Sequence, residues 1–380
     1  MTTTIASMAA TGIIGMGGGL MPPGSPGAPT AVDGVSSASV SVSPPSSGGA
    51  VDSYTVTANP DGATCTITGA SGSCVVRGLI NGYTYSFTAT ATNSAGTSQP
   101  SPPSNSVTLH LTPIDIYYFS LGGPAFLGDP TGWEVDNLRF GGAYRNYSRG
   151  TIYWSPTTYS HLNQGAIRSA YAAQGWENGP LGYPTSDEVG PIRGGGVYQS
   201  FQGGAIYWSP ATGAHVNAGA IRSAYVAQGS ENGLLGYPAG NEVKGLRDGG
   251  AYQLFQGGAI YWSPATGAHV NAGAIRSAYA AQGWENGLLG YPTGNEVKGL
   301  RDGGAYQLFQ GGAIYWSPAT GAHVNKGAIR DAYAAQGWEN GELGYPTSNE
   351  YSVCCGGAAQ DFQGGRITWT PTGGTSITRR

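Results

Sequence analysis

The chain has 380 residues, with 66 Gly, 24 Tyr and 9 Trp, only 10% charged side chains and a net charge of −4. That length leaves room for more than one domain. The lack of a basic balance argues against nucleic acid or an anionic membrane surface as partner, and many aromatics among few charges favour neutral polar ligands or other protein. Residues 1–27 carry no Lys or Arg, the first being Arg77. A secretory signal needs a basic stretch before its apolar run, and 5–16 has none and is interrupted by Gly12 and Gly15. Nor is the run long enough to span a membrane. The run Gly15-Met-Gly-Gly-Gly-Leu-Met-Pro-Pro23 suits insertion into a larger assembly, so 1–27 is expected to be a Gly/Pro-rich anchoring tail. A disordered leader is the plainer alternative.

Residues 28–112 change character. Short alternating segments such as Ser39-Val-Ser-Val42, Asp52-Ser-Tyr-Thr-Val-Thr57 and Thr84-Tyr-Ser-Phe-Thr-Ala-Thr90 are divided by Pro-Pro, Asp-Gly and Asn-Gly turns, which predicts a small β-sandwich. The segment resembles a bacterial fibronectin type III domain through Tyr54-Thr-Val-Thr57, Gly78-Leu79, Asn81-Gly82, Tyr85 in the tyrosine-corner place and Ala91-Thr-Asn-Ser-Ala-Gly96. Val42 stands where that family usually carries a core Trp, so a looser core is expected. Such domains are mostly spacers. Cys65 and Cys74 flank eight residues, a spacing compatible with a cross-strand disulfide in an oxidising exterior.

From 113 onward the chain repeats with a period of 54 residues. Leu-Gly-Tyr-Pro begins at Leu181, Leu235, Leu289 and Leu343, with a worn Leu-Gly-Asp-Pro at Leu127, and 201–254 differs from 255–308 only at Val226/Ala280, Ser230/Trp284 and Ala239/Thr293. A fixed period means one supersecondary unit copied, no copy able to bury its apolar face alone. Tyr252-Gln-Leu-Phe-Gln256 and Ala259-Ile-Tyr-Trp-Ser263, separated by Gly257-Gly258, predict a hairpin. Pro264 stops that ladder and Thr266-Gly-Ala-His269 supplies turn chemistry. The Ala-rich stretch 273–283, with Ile275 and Tyr279 on one face, Asn271 as cap and Gly283 as stop, predicts one short helix.

Five helical stretches, near Ile114, Ile167, Ile221, Ile275 and Ile329, alternate with five hairpins, at Tyr147, Phe201, Phe255, Phe309 and Phe362. Equal numbers of each suggest a propeller-like closed ring of five units, since a ring buries every unit against two neighbours. The expected fold is therefore mainly β with short helices, a sandwich followed by a ring.

Leu-Gly-Tyr-Pro followed by Glu, Tyr-Gln-x-Phe-x-Gly-Gly-x-Ile-Tyr-Trp-Ser-Pro and Thr-Gly-Ala-His resemble the LGFP repeat of actinobacterial envelope proteins, with Tyr at the Phe position, over 113–372. The resemblance implies a wall-associated role, since such repeats occur on mycolyltransferases and other envelope proteins and are thought to hold them to the wall. It implies no particular ligand.

The repeated acids Glu134, Glu188, Glu242, Glu296 and Glu350, with Glu177, Glu231, Glu285 and Glu339, do not suggest an enzyme. Glycosidases need two carboxylates in different environments, whereas equivalent copies suit a Glu bonding backbone amides in its own turn. His161, His215, His269 and His323 recur without a nucleophile motif, and no Cys or His cluster has metal spacing, so no cofactor is expected. Cys354-Cys355 lie before the fifth hairpin, where buried thiols and a vicinal bridge are both open.

Aromatics are the candidate ligand contacts. In Tyr153-Trp154, Tyr207-Trp208, Tyr261-Trp262 and Tyr315-Trp316 one ring of each pair faces the core and the other faces out, ready to stack on a sugar. Trp176, Trp284 and Trp338 lie in Gly-rich loops and are candidates too. Several weak sites would hold a repeating polysaccharide through avidity. The expected partners are a wall polysaccharide of the arabinogalactan/mycolate layer and, through 1–27, other virion proteins of a phage that adsorbs to such walls. A secreted envelope protein and a purely structural decoration protein are the alternatives.

Overall fold

A computed structural model describes residues 20–380, so the part of the anchoring tail at 1–19 lies outside the described residues. Two compact units are formed, one running to Val135 and one from Asp136 to Arg380.

The first unit is a sandwich. Thr30–Gly34, Ser37–Val42 and Gly72–Arg77 make one sheet, and Ser53–Asn59, Thr64–Thr68 and Thr84–Asn93, with the short Gly96–Thr97 and Val107–Thr108, make the other. The two-residue alternation puts Tyr54, Val56, Tyr85, Phe87, Ala89 and Ala91 inward, all fully buried. Val42, at the place of the expected Trp, is buried in the core. The Tyr85 hydroxyl donates to Asp61 Oδ2 at 2.6 Å and accepts from the Ile80 amide at 3.0 Å, which fixes the corner the sequence suggested. Cys65 and Cys74 are bonded, with Cα atoms 6.0 Å apart. The bridge joins the edge strands of the two different sheets rather than a hydrogen-bonded pair in one sheet.

Contacts of this unit run past residue 112. Helix Pro113–Ser120 starts at a capping box, where Thr112 Oγ1 accepts from the Asp115 amide and Asp115 accepts from the Thr112 amide. Asn81 Nδ2 then donates to Asp115 Oδ2 at 2.7 Å. The Trp133 ring lies over Gly78, whose φ of +91° and missing Cβ both suit that approach.

The second unit contains five antiparallel sheets, and the third of them shows the pattern. Val243–Lys244, Ala251–Phe255, Gly258–Ser263 and Gly267–Ala272 pair in chain order. Phe255 pairs with Gly258, so the tight turn is Gln256-Gly257, one residue earlier than the sequence suggested. Pro264 ends the strand as expected, yet the ladder resumes: Tyr261 faces His269 and Ile260 faces Val270. A three-residue reversal allows this, because Ser263 Oγ accepts from the Thr266 amide at 3.1 Å and His269 Nε2 donates to the Thr266 carbonyl at 2.7 Å.

Helices Gly165–Ala173, Gly219–Ala227, Gly273–Ala281 and Gly327–Ala335 fall where predicted, and Ile275 and Tyr279 are the buried face of the third. Gly283 follows in the left-handed region at φ +83° and stops that helix. Asn271 is not its cap. It lies in the strand Gly267–Ala272, fully buried, and its Nδ2 donates to Gln307 Oε1 of the next sheet at 2.8 Å.

Each helix is held between two sheets. Tyr279 meets Tyr261 edge-on at 5.4 Å on one side and Phe309 at 4.7 Å on the other, a geometry repeated at Tyr171, Tyr225 and Tyr333. Aromatic pairs of this kind contribute about 1 kcal/mol each beyond their buried area. Arg193, Arg247 and Arg301 add a forward latch, each donating from Nη1 to the carbonyl of Glu231, Glu285 or Glu339 one unit on, at 2.9, 3.2 and 3.2 Å.

The closed ring is not what forms. Among the described residues every sheet of this unit is a separate open ladder and no strand of one pairs with a strand of another. The residues give the reason. In the fifth sheet Ala359 and Thr368 stand where the fourth has Tyr306 and Tyr315, and Cys354 stands where Arg301 makes its latch. Without the Tyr bed and the Arg, this face cannot receive another helix as the others do. Its outer strand Gly374–Arg379 is polar and largely exposed, which is how an open array is capped. Cys354 and Cys355 are exposed free thiols in that loop, neither buried nor bridged to each other.

Candidate functional site: a repeated trough beside the hairpin Trp

Register decides which ring of each Tyr-Trp pair is available. Tyr153, Tyr207, Tyr261 and Tyr315 are 3–4% exposed and form the aromatic spine, so they are core residues and not ligand contacts. Their neighbours Trp154, Trp208, Trp262 and Trp316 are half-buried on the opposite face of the strand. Trp176, Trp284 and Trp338 turn out to be packed despite their Gly-rich loops. Trp284 lies edge-on to Tyr279 at 5.4 Å with the Arg276 guanidinium 5.0 Å over its ring, and Trp176 and Trp338 repeat this under Arg168 and Arg330. Their geometry is that of packing.

Trp316 lines a trough of about 380 Å³. Ala272, Gly273 and Ala274 at the start of one helix form one wall. Glu296 and Lys298, across from them, the loop Gly303-Gly304-Ala305, and Leu234 and Gly257 complete the lining. One period earlier the same parts recur in two connected pieces of about 120 and 290 Å³, both touching Ala218, Glu242 and Lys244, the larger ending on Trp262. These neighbouring residues were not legible as a site in one repeat alone. Lining up the repeats would have revealed them, because position 164/218/272/326 reads Gln, Ala, Ala, Lys while 190/244/298/352 reads Gly, Lys, Lys, Ser.

Glu188, Glu242, Glu296 and Glu350 are partnered by side chains rather than by the backbone amides of their own turns. Lys244 Nζ reaches Glu242 at 3.4 Å and Lys298 Nζ reaches Glu296 at 3.1 Å, pairs open enough to water to add under about 1 kcal/mol each to stability. Their consequence is electrical: each trough carries one acid matched by one base. Glu350 pairs instead with Lys326 at 2.7 Å, and Glu188 accepts weakly from Gln164 Nε2 at 3.5 Å. Glu134 accepts from Thr112 Oγ1 at 2.7 Å. Burial holds the Glu188 carboxyl above the usual range despite the Gln164 bond. Glu177, Glu231, Glu285 and Glu339 are buried and each accepts from the Asn that follows it, at 2.7–2.9 Å. No group of three or more possible metal ligands occurs among the described residues.

The trough can therefore offer an indole, alanine methyls, a balanced acid and amine, and backbone groups of a Gly-Gly loop. That set suits a ring with an apolar face and hydroxyl edges.

Comparison with known families agrees with the period. The LGFP repeat model matches 127–179, 181–233, 235–287, 289–341 and 343–380, together more than half of the chain. The fibronectin type III domain model matches 24–107. No curated protein matches significantly. Among solved structures the chain is similar to domains A168-A170 from titin, at 23% identity and a TM-score of 0.21 over 24% of this chain and 33% of that one. It is similar to the chicken CNTN1 FN1-FN3 domains at 19% identity and 0.22, over 24% and 33%, and to a fibronectin type III domain derived from human KIAA0970 protein at 19% and 0.20, over 23% and 74%. The chain thus spans about a third of the length of the first two.

Proposed function

The chain belongs to the LGFP repeat family, with a fibronectin type III domain ahead of the repeats, and on that footing we propose that it is a non-catalytic protein that holds bacterial wall glycan in its Trp-lined troughs. LGFP repeats suggest a cell-wall-binding protein of the cell surface or exterior. Among the described residues no helix is long and apolar enough to cross a membrane. The observation that carries the reading is the recurrence of one trough at Trp262 and Trp316 with the same lining. At the two open troughs Glu242 and Glu296 sit in matching settings, each beside a Lys two residues on, and this supports binding over catalysis, which needs carboxylates in different environments.

The test is retention of the full chain by walls of a mycolate-bearing actinobacterium, before and after removal of mycolates and then of arabinogalactan. Retention that survives the first step and ends at the second is expected, because the balanced trough suits a neutral glycan. No retention on any wall would contradict the proposal and favour a structural decoration protein.

We assign the protein more finely to the virion of a phage that adsorbs to such walls, the tail 1–27 joining it to other virion proteins. The Gly/Pro-rich composition of that tail supports this, as does its last part lying against the sandwich, where Asn93 Nδ2 donates to the Met21 carbonyl at 2.8 Å. Removing 1–19 keeps those contacts. The shortened chain is expected to fold and to be missing from assembled particles; its continued incorporation would refute the assignment.

A further inference from the structure

The Glu of each Leu-Gly-Tyr-Pro segment is partnered from two different sides. At Glu242 and Glu296 the partner is a Lys two residues on in the same wall, and the opposite wall is Ala218 or Ala272, which leaves the trough open between them. At Glu350 that Lys is replaced by Ser352, and the alanine by Lys326, whose Nζ reaches across to the carboxylate at 2.7 Å. At Glu188 the same exchange puts Gly190 in the wall and Gln164 opposite, with Nε2 3.5 Å from the carboxylate. A long side chain thus bridges the place that is empty in the two middle copies. Trp208 and Trp369 hold the strand positions of Trp262 and Trp316 beside these bridged copies and are likewise half-buried.

We infer that the array has two working saccharide subsites, at Trp262 and Trp316, and that Gln164 and Lys326 close the flanking two, at Trp208 and Trp369. The inference rests on the wall-glycan reading and adds to it the valency, the chemical class and the residues that set both. The class is a neutral glycan: each open trough contains one acid and one base, so an ionic ligand would leave one of them opposed, while the indole and the alanine methyls accept the apolar face of a sugar ring. Two like subsites on one chain favour a repeating polymer over a free sugar, since the second contact is made at high effective concentration. The closed copies are built from ordinary substitutions at two aligned positions, so the pattern can be moved from one copy to another.

Full-length variants test this. A218K/K244S and A272K/K298S each write the closed pattern into an open trough, and the fourth unit already folds with Lys at this position. K326A/S352K removes a bridge and writes the open pattern, one acid with one base in the same wall, into the fourth copy. Purified soluble arabinogalactan serves as titrant for the number of sites, and intact walls serve for retention. The expected results are one site in place of two for each closed trough, loss of retention on the order of a hundredfold when both are closed, and a third site in the K326A/S352K chain. A chain with both troughs closed that keeps the parent's thermal unfolding and the parent's retention on walls would overturn the inference and leave the wall reading standing. A parent chain that no wall retains would overturn both.

Discussion

At the scale of the residue, the second unit contains its own internal control. Ser230 stands where Trp176, Trp284 and Trp338 are packed, and it is one of only three differences between two adjacent copies. Tyr207 and Tyr225 keep their edge-on contact at 5.4 Å beside it, while Arg222 lacks the ring that lies beneath Arg168, Arg276 and Arg330 in the other copies. The loop Trp is therefore a stabilising residue that one copy does without. Ser230→Trp is expected to raise stability by about 1 kcal/mol through the aromatic contacts and the cation over the ring. A calorimetric melt reads this, and no gain in melting temperature would show that the ring does not find the place its counterparts occupy.

At the scale of the element, helix and hairpin were legible because their signals are local: Ile275 and Tyr279 four apart, Gly283 as stop, aromatic runs on either side of a glycine pair. The third strand was not, because Gly267–Ala272 reads as turn chemistry followed by a cap, and its partner strand lies beyond a proline. Asn271 shows the cause most clearly. A buried Asn whose partner is Gln307, in another sheet, carries no mark in its own neighbourhood. Gln307 Nε2 also donates to the Val270 carbonyl at 2.7 Å and the Gly294 carbonyl at 2.9 Å, so one amide joins its sheet to the preceding sheet at two points and to the loop at Gly294 at a third. Gln307→Leu would leave the buried Asn271 and Val270 partners without this bond while the half-exposed Gly294 carbonyl turns to water, and about 2 kcal/mol or more of stability should go with them. Denaturant unfolding measures it, and a loss well under 1 kcal/mol would mean that water or a shift of the sheets replaces the network.

At the scale of the whole molecule, the ring was the wrong closure for a repeat count that was right. Five equal units satisfy a ring and an open array alike, and the choice lies in substitutions of the last unit, Ala359, Thr368 and Cys354, whose meaning depends on knowing which residues receive the next helix. The trough was likewise half legible: the Trp was visible in each repeat, but its walls come from the helix of one unit and the strand and loop of the next. The tyrosine spine makes a further property collective. Burial, aided by the charges of Glu177, Glu285 and Glu339, pushes the Tyr183, Tyr291 and Tyr345 phenols up to about 12, and burial holds Tyr171, Tyr225, Tyr279 and Tyr333 higher still. The folded chain keeps protons that the unfolded chain releases near 10. Their contribution is thus whole below pH 10 and is lost as the pH rises through 12. Stability should fall steeply across that window with tyrosinate absorbance growing in step with unfolding; gradual ionisation of a still folded chain would contradict it.

The central claim is that the repeats hold wall glycan in the open troughs at Trp262 and Trp316, and retention of full-length W262A/W316A on actinobacterial walls tests it most directly. The parent should be retained and the double variant washed free, with melting temperatures close enough to exclude unfolding. Equal retention of the two chains would place wall binding elsewhere on the molecule and contradict the account.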